Sequence, residues 1–355
     1  MRTCRCATRD RRWSVQYRLF GTRSSLRVSE LCLGTGFFGG IVDRSTALDT
    51  LAAYADAGGR FIDTAESYQG GESEKVVGDF VAGDRDDYII ATKYGVGIRR
   101  SEGFSRRGNG RKAMITAVEG SLRRLRTDYI DLYWTHGNDP DVPVDEVMAA
   151  LDNLVRSGKV LHIGLGNYPA WRNARAATVA ELRNSAPLTA VTFEYGVAER
   201  DAERELLPCA EALGLGVAAW SPLGGGFLAR NDPNPTSHLV HWTDRGRPGT
   251  RDMSVHRAVH NVAREAGVAP AVIGYAWVLD RARRSSTTIA PIIGASSPLQ
   301  VTVSLDALQL TLTERQIDTL DGASGFDLGE PHNHNDHSAH LMTAGTSHRS
   351  QTLAV

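Results

Sequence analysis

The stretch Phe61–Lys75, FIDTAESYQGGESEK, decides how the whole chain is read. An apolar run, Phe61 and Ile62, stops at Asp63, and Tyr68 follows in the loop beyond it. Then GGESEK puts Gly71 or Ser73 near a helix cap and acidic residues in the first turn, where the helix dipole favours them. Strand, loop and helix start follow one another here, so the stretch reads as a single βα unit.

The same unit recurs along the chain. Short apolar or β-branched runs occur at 30–34, 60–63, 88–93, 130–136, 160–165, 188–193, 216–220 and 288–293. Helical patterns separate them at 45–57, 72–81, 111–125, 144–156, 170–183 and 202–213, with two more, 255–266 and 270–283, before the last run. Glycines in RSGK and ALGLG stand just past helix ends. Eight strands, each reached through helix, are expected to close into an α/β fold of the (β/α)8 TIM-barrel type, a single domain. Leu19–Phe20 and Leu26–Val28 around Gly21 suggest an N-terminal β-hairpin that plugs the barrel's bottom. The expected organisation is a disordered extension over 1–15, the barrel over 16–325, and an irregular or disordered tail over 326–355.

Composition narrows the function. A net charge of −1 gives no general attraction for nucleic acid or an anionic membrane. The longest uncharged run, Ala212–Ala229, is broken by glycines and Pro222 and does not read as a membrane span. Four scattered cysteines do not make a disulfide scaffold, which points to a reducing cytoplasm. The arginine-rich N-terminus lacks the apolar core of a secretory signal, and a transit peptide is its other functional reading. Cys4-x-Cys6 lacks a second ligand pair, and the tail histidines His332, His334, His337 and His340 lack ordered support, so no metal site is expected.

Catalysis in such a barrel sits at the C-terminal ends of the strands. Asp63, Tyr68, Lys93 and His136 fall there, and Phe61/Asp63, Ala91/Lys93 and Trp134/His136 each share a strand face. If they converge, a lysine ammonium roughly 4 Å from a phenol favours the phenolate by about 4 kcal/mol, before desolvation is subtracted. Asp63 would keep Lys93 charged, and His136 could donate to a carbonyl oxygen. The set is a general-acid site without a nucleophile, so the electron pair must come from a cofactor. Gly34–Gly39, GTGFFG, matches a dinucleotide fingerprint in letters. The next helix starts too late to meet a phosphate, so these glycines instead let the loop approach a ligand closely.

The motifs FIDTAESY…SEKVVG, IIATKYG, SLRRLRTDYIDLYWTH, GKVLHIGLGN, ERELLPCAEALGLGVAAWSPLGGG and PIIGASSPLQ together resemble the aldo-keto reductase superfamily over about residues 16 to 325. GNGRK and TDYIDLYWTH resemble its bacterial and fungal branch related to aryl-alcohol dehydrogenases, and the bacterial branch is the one expected. The resemblance implies nicotinamide hydride transfer and the tetrad Asp63, Tyr68, Lys93 and His136, with Tyr68 as acid. It places Asn167 at the carboxamide, Trp220 stacked on nicotinamide, and Ser221, Leu223 and Gly225 along the pyrophosphate. Gly36, Asp63, Thr192, Gly294, Ser296 and Gln300 complete the implied cofactor set.

Departures from the family pattern accompany these matches. Gly166 replaces a serine, Thr192 a glutamine and Ser304 an asparagine, and Ser296 stands where a cation usually grips the 2′-phosphate. NADPH is the expected cofactor, with NADH as the second. The expected substrate is a small-molecule carbonyl compound, met by an aromatic pocket of Phe37, Phe38, Tyr94 and Trp242. The arginines of the 95–110 loop read as a solvated face, and the chain is expected to be a monomer or weak homo-oligomer. Its rivals are an NAD-dependent sugar or secondary-alcohol dehydrogenase and a nicotinamide-binding regulatory subunit.

Overall fold

The computed structural model describes residues 13, 15–98, 103, 106–232 and 249–342. Two short strands, β1 (Tyr17–Leu19) and β2 (Arg27–Ser29), pair antiparallel, Tyr17 opposite Ser29. Eight parallel strands then close a barrel: β3 (Cys32–Gly34), β4 (Phe61–Asp63), β5 (Ile89–Tyr94), β6 (Ile130–Thr135), β7 (Val160–Gly166), β8 (Leu188–Glu194), β9 (Gly216–Trp220) and β10 (Ile289–Ile293). Closure is made by β10, whose Ile289 pairs with Val217 and whose Ile292 pairs with Cys32. This is the expected (β/α)8 barrel, and each strand lies within two residues of its expected bounds.

Period-2 alternation divides the strand residues between two cores. Phe61, Ala91, Leu132, Trp134, Ala190, Ala218, Ala290 and Ile292 point inward and fill the barrel. Ile62, Ile90, Tyr133, Ile163, Val191 and Val217 point outward beneath the helices. The inner layer mixes large and small side chains because the lumen is narrow. Trp134 fits only because Gly164 has no side chain: a Cβ there would lie 2.2 Å from the indole ring. The hairpin closes the N-terminal end, where Phe20 packs among the inward residues with Leu26 and Val28.

The helices follow their caps. In α1 (Arg44–Asp56) the Asp43 carboxylate accepts the Thr46 amide, and α2 (Glu72–Val81) starts at Gly71, left-handed at φ 92°, with Glu72 and Glu74 in its first turn. Then come α3 (Arg111–Leu125), α4 (Val144–Arg156), α5 (Ala170–Leu182) and α6 (Leu206–Leu213), the last preceded by a separate 3-10 turn, Asp201–Glu203. After β9 run α7 (Thr250–Ala266) and α8 (Pro270–Arg284), and after β10 run α9 (Pro298–Asp306), α10 (Glu314–Ser324) and α11 (His332–Met342).

Two terminal readings need correction. The tail was expected to be irregular, but His332–Met342 is helical. Its first turn is fixed from outside: Asn333 Nδ2 donates to Asp327 at 2.7 Å, and His332 Nε2 lies 3.0 Å from Glu205 Oε1. At the other end, Trp13 donates its indole N–H to Asp306 at 2.9 Å and Val15 is buried, so those two residues are packed rather than disordered. The Cys4–Cys6 pair, Trp242 and residues 343–355 lie outside the described residues.

Candidate active site

Inward alternation carries one residue beyond the apolar layer in several strands. Asp63 follows Phe61, Lys93 follows Ala91, and His136 follows Trp134. The chain after β4 then continues parallel to β5: Thr64 N–H donates to Ala91 O at 2.8 Å and Glu66 N–H to Lys93 O at 3.1 Å. That pairing brings Tyr68 over the strand that carries Lys93.

All three ammonium protons of Lys93 are used. They go to the Asp63 carboxylate, to the Thr64 carbonyl at 3.0 Å and to the Tyr68 hydroxyl at 3.0 Å. Asp63 and Lys93 are both buried side chains, and the second carboxylate oxygen of Asp63 is buried with no hydrogen-bond partner among the described residues. His136 closes the group from β6. Its ring meets Tyr68 edge-on at 5.6 Å, and its Nδ1 is 3.4 Å from Ser67 Oγ. The four residues singled out in the sequence therefore converge at one barrel mouth.

Electrostatics partly reverses the sequence-based expectation. Burial pushes the Tyr68 phenol above its ordinary value, and the nearby Lys93 ammonium does not overcome it. Burial opposes the charge on Lys93 more than any single neighbour favours it, but Asp63 and Tyr68 together outweigh it and hold the ammonium above its usual range. The result is a fixed cation beside a phenol that keeps its proton.

The implied cofactor positions form the rest of the rim. Trp220 donates its indole N–H to Asn167 Oδ1 at 3.0 Å, and Asn167 Nδ2 donates to the His136 carbonyl at 3.0 Å. These bonds tie the ends of β9, β7 and β6 together. Thr192 is buried and donates its hydroxyl to Ala218 O at 2.7 Å. Gly166 is required by packing, since a Cβ would lie 2.3 Å from Thr135 O. Ser221 Oγ accepts the Gly225 amide at 3.2 Å, and Leu223 lies against Gly274. Beyond β10, Gly294 borders open space, and Gln300 Oε1 accepts both the amide and the hydroxyl of Ser296, at 2.8 and 3.0 Å. Gly36 faces Tyr68, with 4.0 Å between its Cβ direction and the ring edge.

The aromatic pocket is only partly placed at the mouth. Phe37 is half-buried in the loop after β3. Phe38 is buried in the outer core, where its segment bridges to Val42. Tyr94 comes one residue after inward Lys93, so it points outward, fully buried and stacked on Tyr133 at 5.1 Å. Neither presents a face to a ligand.

Sequence reasoning passed over two neighbours. Glu66 is a buried carboxyl that accepts the Gly95 amide at 3.0 Å, and burial raises it to about 7. Gln69 has left-handed backbone at φ 50°. Both lie inside the quoted stretch, but neither residue type carries a motif signal of its own.

The aldo/keto reductase family model matches residues 30–324. The chain belongs to the aldo/keto reductase family. It is similar to a norsolorinic acid reductase of Aspergillus flavus, 33% identical over 89% of this chain and 83% of the relative. A second norsolorinic acid reductase, from Emericella nidulans, is 34% identical with the same coverage. An aryl-alcohol dehydrogenase of Pestalotiopsis microspora is 30% identical over 89% of this chain and 84% of its own. These relatives are fungal, so the expected bacterial branch has no support. This aldo/keto reductase is an oxidoreductase that acts on carbonyls. Among the described residues no helix is long and apolar enough to cross a membrane, and no group of three His, Cys, Asp or Glu is placed to hold a metal ion.

Proposed function

We propose that this aldo/keto reductase reduces an aryl aldehyde or ketone to its alcohol, with Tyr68 as proton donor. The observation that carries the reading is the 3.0 Å contact between Lys93 Nζ and the Tyr68 hydroxyl, with His136 against the same ring. A carbonyl oxygen seated there gains negative charge as its carbon is reduced. Tyr68 gives it a proton, and the His136 side chain and the Lys93 charge stabilise the change. A phenol held above its ordinary pKa carries its proton before reduction begins, as a proton donor must. The aryl preference rests on the names of two kinds of relative and on half-buried Phe37 and Trp220.

A bound nicotinamide supplies the hydride, and the rim fits one. Open space at Gly294 and the unpartnered Asp63 oxygen suit a polar ligand lying across the mouth. Trp220, Asn167, Ser221, Gly225, Ser296 and Gln300 are the residues that would hold it. NADPH is the proposed form, discriminated only modestly from NADH. Free cysteines at Cys32 and Cys209 accord with a cytoplasmic location.

Loss of NADPH absorbance with a panel of aryl aldehydes tests the activity. Tyr68→Phe should lower kcat by about 10²–10⁴ while leaving cofactor affinity nearly unchanged, since general acid catalysis is typically worth that much. A variant that keeps more than half of wild-type kcat, with chemistry rate-limiting, would sink the assignment.

A further inference from the structure

Immediately after Tyr68 the backbone turns left-handed three times, at Gln69 (φ 50°), Gly70 (φ 66°) and Gly71 (φ 92°). Glycine fits such a place, yet the first position holds a glutamine. Its side chain has a specific seat. Nε2 donates to the Gly36 carbonyl at 2.9 Å, across to the loop after β3. Gly40 of that loop lies flat against the amide, and a Cβ at Gly40 would fall 2.1 Å from Gln69 Oε1. Gly36, the residue so bound, faces the edge of the Tyr68 ring.

Backbone strain at Gln69, its bond to Gly36 and the bare surface at Gly40 converge on one task. We infer that Gln69 is a positioning residue: its amide anchors the chain next to Tyr68 on the first βα loop and so holds the Tyr68 hydroxyl on Lys93. The inference rests on Tyr68 being the proton donor. Without the clamp the backbone next to Tyr68 loses its anchor on the Gly36 carbonyl, and the 3.0 Å contact between Tyr68 and Lys93 loosens. Rate is sensitive to such loosening, because a misplacement of about 1 Å can cost roughly 10²-fold.

Reduction of an aryl aldehyde with NADPH is compared in wild type, Gln69→Gly, Gly40→Ala and the double variant, with Tyr68→Phe as reference. Gln69→Gly removes the amide and relieves the backbone, so Tm stays at or above wild type. Gly40→Ala pushes the far end of the glutamine aside without touching Tyr68. Each should lower kcat about tenfold, a partial form of that misplacement. The double variant should fall no further, and the NADPH Kd should stay within about twofold because neither variant replaces a residue proposed to hold the cofactor. Gln69→Glu keeps the length but loses the donor when ionised, so its kcat should recover as pH falls through the new carboxyl's titration.

Overturning results are a Gln69→Gly kcat within about twofold of wild type, additive losses in the double variant, or a Gln69→Glu pH profile identical to wild type. If Tyr68→Phe itself remains active, the functional reading fails and this role fails with it. If Tyr68→Phe is dead and the Gln69 variants are not impaired, only the positioning role fails.

Discussion

Lys93 has no spare proton: every N–H is directed to a named oxygen, on Asp63, Thr64 or Tyr68. Lys93→Ala therefore leaves the Asp63 carboxylate buried without its counter-charge, beside an oxygen that already lacks a partner. Removing one member of a buried pair typically costs about 3–5 kcal/mol. Urea unfolding of Lys93→Ala should show a loss of that order, and Asp63→Asn in the same chain should restore part of it. A Lys93→Ala protein as stable as wild type would mean that the pair is not the buried unit described above. Ser296 poses the opposite case, a place with no charge. Its hydroxyl and amide already serve Gln300, and neither can neutralise a phosphate. Charge-assisted bonds are roughly twice as strong as neutral ones. Ser296→Arg should thus lower the NADPH Kd by about tenfold to a hundredfold and leave the NADH Kd alone. Fluorescence titration of both cofactors decides it; equal tightening of NADH would show that Ser296 does not lie near the 2′-phosphate.

Elements with apolar periodicity were legible, and elements held by single polar contacts were not. The eight barrel strands and helices such as α2, α3 and α4 announced themselves because one face of each must be apolar. Three of the tetrad followed from the same alternation, since Asp63, Lys93 and His136 each extend a row of inward residues, whereas Tyr68 stands in the loop beyond β4. Tyr94 shows the cost of ignoring it: its chemistry suits a pocket, but its parity sends it outward onto Tyr133. The sequence HNHNDHSAHLM has no apolar face, so α11 was invisible; its start is fixed by contacts to Asp327 and Glu205 that no local pattern encodes. Trp13 was missed for the same reason, because its partner Asp306 lies 293 residues away at the end of α9. Trp13→Ala should remove that hydrogen bond and part of an apolar contact, together about 1–3 kcal/mol. Thermal unfolding should register a fall of a few degrees. An unchanged Tm would show that this contact does not hold the N-terminal segment.

At the scale of the whole barrel, stability should depend on pH through carboxyls that the fold buries. Burial raises Glu66, to about 7, and raises Glu30 and Asp131 in the same direction. Around Glu66 stand Glu74, which raises it further, Arg124, which lowers it, and the phenols of Tyr94 and Tyr133, whose own values Glu66 helps to raise. A carboxyl with a raised folded pKa binds its proton more tightly in the folded state than in the unfolded one. Its contribution is fully present below about pH 4.5, the unfolded value, and is lost as pH rises through about 7. His162 and His260 act oppositely: burial lowers both, so the stability they govern grows as pH rises toward 6.5. The two trends overlap near neutrality, and a wild-type profile alone would not separate them. Glu66→Gln separates them, because the amide oxygen can still accept the Gly95 N–H but does not titrate. Urea unfolding at pH 5 and pH 8 should give a smaller loss on going to pH 8 in Glu66→Gln than in wild type. The difference should be no more than about 3 kcal/mol, since each unit of pKa shift is worth about 1.4 kcal/mol. Equal losses in the two proteins would mean that Glu66 is ionised in the folded barrel throughout this range. The Gly95 amide would then be facing a fixed carboxylate rather than a titrating one.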